Sequence, residues 1–186
     1  MTHSNSNAAP LLTDNLQLFE ALPVTHGVLD LACGSGRNGL LLASRGLPVT
    51  FADRDRDQLA AVSADHRFST ALCQLWSVDL EQDETLPLAG KTFDAILVFN
   101  YLHRALFAQL KAAVRPGGLV IYETFTVAQR AFGRPKRDAF LLQPGELGTV
   151  FSDWELIHEF EGELAAPARA VASIIARKPT SGPEAS

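Results

Sequence analysis

Cysteine, methionine, tryptophan and tyrosine are all scarce in this chain: two Cys, one Met, two Trp and two Tyr in 186 residues. Cys33 and Cys73 sit in apolar, strand-like surroundings and read as small buried hydrophobes, not as a disulfide or metal pair. No Cys or His spacing matches a metal site, and the five His are scattered. Basic residues are outnumbered, 16 against 21 acids, giving a net charge of -5 and a pI near 5.5. That balance argues against broad nucleic-acid binding, which needs basic surface to displace counterions, although it leaves room for a local basic patch. No apolar run approaches the ~18 residues of a membrane span, so no membrane contact is expected. The opening Met1-Thr2-His3-Ser4-Asn5 has neither the charged nor the apolar region of a signal peptide, and a cytoplasmic protein is expected.

What is present is enough for one sizeable core, with 47% hydrophobic residues. Residues 1–9 are expected to be a loose terminus, 10–178 a single domain and 179–186 a loose tail. Apolar positions Leu11, Leu12, Leu16, Leu18, Phe19 and Leu22 predict a helix over 10–22, closed by Pro23. Strands are expected at about 27–33, 48–52, 73–78, 93–99 and 119–124, with helices at about 36–45, 56–66 and 103–114 between them. A long connection over 125–142 leads to a short helix at 144–151. The last two strands, 154–160 and 171–177, leave no room for a crossover helix and should pair antiparallel. Alternating strands and helices predict an α/β fold: a mostly parallel sheet with helices on both faces.

The most informative stretch runs from Val28 to Gly39. An apolar run containing Asp30 meets a glycine turn, Cys33-Gly34-Ser35-Gly36, and a helix opens directly after it. Gly34 and Gly36 admit positive φ and let a ligand approach bare backbone, beside the free N–H groups of the helix start. In such a sheet, the carboxyl ends of the strands face the ligand crevice. Asp53 ends the second strand, where a carboxylate can accept from both hydroxyls of a ribose or can cap the next helix. Asp79 ends the third, where it can take an adenine amino group beside the apolar Leu80, or simply be a solvated loop acid. Asp30 can hold an ammonium group or bond the N–H groups of its own turn. The turn formally fits G-x-G-x-x-G of a dinucleotide site. An acid inside the first strand, a second acid at Asp79 and the lack of any Tyr-x-x-x-Lys constellation weigh against that reading.

On these residues the chain resembles the class I S-adenosylmethionine-dependent methyltransferases. The resemblance runs over about residues 11–178 and rests on Val28 to Gly36, Val49 to Asp53, Ser77 to Leu80, Phe93 to Asn100, and Leu110 to Ile121 around Arg115-Pro116-Gly117-Gly118. It implies a Rossmann-like sheet of seven strands in the order 3-2-1-4-5-7-6, the seventh reversed, and S-adenosylmethionine as cofactor, leaving as S-adenosylhomocysteine. It also implies roles: Gly34 and Gly36 along the methionine part, Asp30 near its amino group, Asp53 on the ribose and Asp79 on the adenine. Ala32, Asn38, Arg54, Leu80 and Asn100 complete the expected cofactor set. Ala32 stands where the family's first turn glycine usually is. The Gly-Arg-Asn turn is similar to that of small tellurite-resistance-type enzymes.

Methyl transfer from a sulfonium needs alignment and a dry site, with a general base where the acceptor must lose a proton. His103 and Tyr101 are the candidate catalytic residues, and no metal is expected. Asn100-Tyr101-Leu102-His103 is not Asn-Pro-Pro-Tyr, which argues against methylation of an exocyclic amine or a glutamine. Arg104, Glu123, Phe125, Phe132, Arg134 and Arg137 are candidates for holding the acceptor. The connection carries Arg130, Arg134, Lys136 and Arg137 with almost no acid, which suits either a solvated loop or an anion-recognising lid. A small, anionic acceptor is favoured by the overall acidity. RNA, held by base stacking and basic residues, is the alternative within enzymes; a nucleotide-binding module without catalysis is the alternative outside them.

Overall fold

The structure, a computed structural model, describes residues 7–82 and 85–180. The remainder of the expected loose terminus, 1–6, and of the expected tail, 181–186, lies outside the described residues. Within them, Ala9 is buried, and its N–H donates to Asn38 Oδ1 at 2.8 Å, so the fold closes over the chain from that point.

Seven strands form one sheet: β1 (Val28–Leu31), β2 (Val49–Asp53), β3 (Cys73–Ser77), β4 (Phe93–Phe99), β5 (Val114–Phe125), β6 (Glu155–Ala165) and β7 (Ala168–Arg177). Their order is β3-β2-β1-β4-β5-β7-β6. The first five run parallel, while β7 is antiparallel to both β5 and β6. β4 lies between β1 and β5, and all seven of its residues are buried. An almost unbroken apolar run is what a strand covered on both faces requires.

The period-two alternation of the strands sorts their side chains into two apolar layers. On one face, Leu29, Ile96, Val98, Val120 and Tyr122 pack with Leu110 of α5 (Phe107–Ala113), Leu147 of α6 (Glu146–Val150), Phe151 and Trp154. On the other, Val28, Phe51, Leu97 and Ile121 pack with α1 (Pro10–Thr13), α2 (Gln17–Glu20), α3 (Arg37–Ala43) and α4 (Arg56–Ala64). Where β4 begins, Asp94 is fully buried. It accepts from the N–H groups of His26 and Gly27 at 2.5 and 2.8 Å and pairs with Arg115. Burial alone would raise its pKa; the Arg115 guanidinium and the two N–H groups outweigh that and hold it below the usual carboxylate range. This rivet ties β1, β4 and β5 together at one end and leaves the other free for a site.

The predicted helix over 10–22 is instead two short ones, α1 and α2. Asn15 Nδ2 donates to the Leu11 carbonyl and the N–H of Leu18 to the Asn15 carbonyl, a local pattern that competes with a continuous helix. The predicted 103–114 helix opens as a tight 3₁₀ turn, Arg104–Leu106, before α5. β5 begins at Val114, ahead of the expected 119, because Val114 pairs with Phe93 before a register shift absorbs the Pro-Gly-Gly.

Candidate active site

The glycine turn is held by side chains from two strands. Ala32, Gly34 and Gly36 all have positive φ, at +52°, +52° and +67°. For Ala32 that conformation is strained, since L residues with a Cβ disfavour it. Gly36 is the N-cap of α3, and a Cβ there would stand 2.6 Å from Val62 Cγ2. A Cβ on Gly34 would meet nothing within 4 Å, so that stretch of backbone borders open space.

Asp53 braces the turn. Its Oδ2 accepts from the N–H of Gly34 at 2.8 Å and its Oδ1 from the N–H of Asp55 at 2.9 Å. Each oxygen keeps a second lone pair for a ligand. Capping of α4 falls to Asp55, which accepts from the N–H groups of Asp57 and Gln58. Asp30 is 2% exposed, and its Oδ2 accepts from the N–H of Gly39 at 2.8 Å. Burial pushes its carboxyl up to about 7; the Gly39 N–H and Arg37 pull it back, and Asp53 adds to the rise. With one oxygen Asp30 therefore bonds a residue of α3, one turn beyond the glycine turn whose N–H groups the sequence reading had offered it.

A cavity of about 200 Å³ opens beside this turn, lined by Ala32, Asp53, Arg54, Val78, Leu80, Glu81 and Tyr101. Four of the ten residues expected at the cofactor are therefore in one wall. Asp79 is not: it is exposed, and its Oδ1 accepts from the N–H of Glu81 at 3.0 Å. Nor is Asn38, whose side chain is spent on Ala9. Cys33 is half-buried, and burial pushes its thiol up, which keeps it protonated.

A second cavity, of about 790 Å³, adjoins the first through Glu81 and Tyr101, which line both. Its other walls are Asn100, Leu102, Phe125, Phe140 and the run Arg134, Pro135, Lys136 and Arg137. Asn100 follows β4 with φ +55°, a conformation asparagine tolerates. Its N–H donates to the Glu123 carbonyl at 2.9 Å. The Tyr122 hydroxyl donates to the Tyr101 carbonyl at 3.0 Å and fixes the next residue along. The Tyr101 hydroxyl is itself buried without a hydrogen-bond partner.

The basic connection is strapped down from three sides. Arg104 donates to both Glu146 oxygens, at 2.6 and 2.8 Å, and to the Leu141 carbonyl. Arg130 pairs with Asp138 and donates to the Lys136 carbonyl. Gln129 is buried, donating to the Arg134 carbonyl at 3.1 Å and accepting from the N–H of Ala170 at 2.8 Å. What these straps leave exposed is Arg134, Lys136 and Arg137, and among the described residues none of the three has an acidic partner.

Several expected acceptor residues stand elsewhere. The Arg104 guanidinium is committed to Glu146. Glu123 is 6% exposed and pairs with Arg169 at 3.1 Å, in the wall of a separate cavity of about 550 Å³. Phe132 and the catalytic candidate His103 line neither of the two adjoining cavities; the His103 carbonyl accepts from the N–H of Leu106. Sequence reading named Lys136 in the basic connection but passed over Glu81, Pro135, Phe140 and the clamp Gln129. For Glu81 the signal was its place two residues beyond Asp79, at the mouth of β3.

Residues 28–118 match a family model described as a methyltransferase domain. The chain is 29% identical over 117 residues to glycine N-methyltransferase of Rattus norvegicus, spanning 53% of this chain and 40% of that protein. It is 27% identical over 150 residues to the probable S-adenosyl-L-methionine-dependent methyltransferase TehB of Haemophilus influenzae, spanning 74% of this chain and 49% of that one. The matches thus cover less than half the length of either curated relative. The crystal structure of that TehB superposes with a TM-score of 0.69 over 90% of this chain and 61% of TehB, at 22% identity. The glycopeptide N-methyltransferase MtfA, complexed with S-adenosylmethionine, superposes with a TM-score of 0.59 over 92% of this chain and 95% of MtfA, at 19% identity.

Proposed function

We propose that this chain, which belongs to the class I S-adenosylmethionine-dependent methyltransferases, moves the methyl group of its cofactor to a small anionic acceptor. When bound, the cofactor supplies an electrophilic methyl on a sulfonium, already attached to an excellent leaving group. The residues at the ends of β1, β2 and β3 suit it. Gly34 offers backbone to open space, Asp53 keeps a free lone pair on each oxygen for the ribose hydroxyls, and Val78 with Leu80 offers an apolar wall to the adenine. Ala32, Arg54 and Tyr101 close the same space.

One observation carries the choice of acceptor: three cations without acid partners among the described residues line the larger cavity, which shares a wall with the smaller one. Like charges held together repel until an anion sits among them. Tyr101, Phe125, Pro135 and Phe140 give the anion's body apolar contacts. Arg134, Lys136 and Arg137 bind and orient the charged end, and the walls exclude water, so that the nucleophilic atom is held in line with the methyl group.

The test is transfer of labelled methyl from S-adenosylmethionine into fractionated metabolites and, separately, into an RNA pool. Label is expected in anionic metabolites and should fall when Arg134 and Lys136 are both replaced by Ala. Label in RNA alone would transfer the cations' role to phosphate backbone, and label in neither fraction would remove the activity.

A further inference from the structure

The wall shared by the two cavities contains two residues, Glu81 and Tyr101. Resting on the methyl transfer proposed above, we propose that Glu81 is the base that receives the acceptor's proton and that Tyr101 positions it. The acceptor atom is then one that carries a proton, a hydroxyl, thiol or amine, on a molecule whose anionic group sits elsewhere, among Arg134, Lys136 and Arg137.

The argument runs by chemistry around the cavity. The wall of the larger cavity offers three cations, the neutral amide of Asn100 and apolar side chains, none of which takes a proton from a nucleophile near neutral pH. In the smaller cavity, Asp53 already accepts an N–H on each oxygen, and Arg54 is a cation. His103 lines neither. Among the described residues, Glu81 is the one carboxylate that borders the acceptor's space, and it borders the cofactor's space as well.

Tyr101 does not act as the base. Burial pushes its hydroxyl well above the ordinary tyrosine range, with the charges of Glu81 and then Asp79 pushing the same way and Arg54 opposing them. It therefore stays a neutral donor. A buried hydroxyl without a full hydrogen bond is costly, and such groups call for a partner. Glu81, with its carboxylate, lines the same two cavities. A hydrogen bond from Tyr101 fixes that carboxylate at the boundary, and the Tyr122 hydroxyl, bonded to the Tyr101 carbonyl, fixes Tyr101 in turn.

In the step itself, the acceptor atom forms its bond to the methyl carbon as the carbon–sulfur bond breaks. The bonding pair leaves with sulfur, now a neutral thioether. The proton on the acceptor atom passes to a Glu81 oxygen, and water removes it from there after product departs.

Two measurements test this. With an acceptor taken from the labelled metabolite fraction, Glu81→Gln should lower kcat about 100-fold, the scale of general-base catalysis. The variant's affinity for S-adenosylhomocysteine by calorimetry should stay within twofold, and the fall of kcat on acidification expected of the native protein should be absent. Tyr101→Phe should lower kcat by less and shift that pH profile without raising KM. Independently of turnover, with S-adenosylhomocysteine bound and ring-labelled tyrosine, the Tyr101 resonance, identified by its loss in Tyr101→Phe, should move as Glu81 takes up a proton and stand still in Glu81→Gln. An unchanged kcat and pH profile in Glu81→Gln, or a Tyr101 resonance insensitive to pH in the native protein, overturns the assignment and leaves methyl transfer standing. Absence of transfer by the native protein to any fraction overturns the proposed function and this assignment with it.

Discussion

Replacing Asp30 by Asn is expected to stabilise the fold at pH 8 and to leave it nearly unchanged at pH 4. Asp30 is buried, and burial raises its carboxyl from 3.8 to about 7 in the folded chain. The folded state therefore binds a proton more tightly than the unfolded state does. Its contribution to stability is fully present below pH 4 and is lost as pH rises through 7. A shift of roughly three units corresponds to about 4 kcal/mol across that window. Asn keeps an oxygen to accept the Gly39 N–H and never ionises, so it escapes this loss. Other charged groups face the site, Arg37 lowering and Asp53 raising the Asp30 carboxyl, and both are retained in the variant. The assay is urea unfolding of both proteins at pH 4, 5, 6, 7 and 8. The stability difference should open steadily between pH 4 and 7 and then level off. A difference that is constant with pH, or a variant less stable at pH 8, would refute the account of Asp30 as a buried acid ionised against its surroundings.

Three further outcomes follow from the geometry. Asp53→Ala should weaken S-adenosylhomocysteine binding by more than about 1 kcal/mol, through lost hydrogen bonds and a loosened Gly34, and calorimetry reads this directly. Arg115→Ala strips the fully buried Asp94 of its guanidinium and should cost about 3 kcal/mol in denaturant unfolding; its effect should shrink as pH falls and Asp94 is protonated, since a depressed carboxyl loses its contribution on acidification. Gly39→Ala puts a Cβ 2.4 Å from the Phe51 ring and 2.8 Å from Asp30 Oδ2, and overpacking there should cost about 3 kcal/mol in the same assay.

The sheet was legible because its signals are local. The apolar run at 93–99 coincides with β4, and the close spacing of the last two strands dictated an antiparallel pair. The glycine turn and Asp53 were legible for the same reason, since the fold's topology brings the strand ends together. What could not be read depends on partners far apart in sequence. Arg104 finds Glu146 across 42 residues, and Gln129 finds Ala170 across 41. Nothing near Arg104 says that its charge is taken, and nothing near Arg134 says that its charge is left over. Asp55 and Asp53 are two residues apart, so only geometry shows which caps α4. Glu81 was passed over because its place two residues beyond Asp79 is a faint signal in a polar loop, and its meaning comes from Tyr101, twenty residues on, in the same wall.

The straps on the 126–142 connection have a common consequence for specificity. A loop with three cations that have no acidic partner among the described residues would relax toward solvent, separating its charges, if nothing held it. Here Arg104 with Glu146, Arg130 with Asp138, and the buried Gln129 amide fix its backbone from both ends, and Gln129 holds the carbonyl of Arg134 itself. The ordering cost is met within the folded chain before any acceptor arrives, so an anion entering the cavity gains attraction without having to order the loop. On the proposed reading, cations on the outer wall and a carboxylate on the inner one would give the acceptor a direction, its charge facing the loop and its protic atom the cofactor side. A neutral analogue with the same protic atom should thus lose binding while its chemical step, once bound, proceeds at a similar rate, which appears as a raised KM with kcat retained.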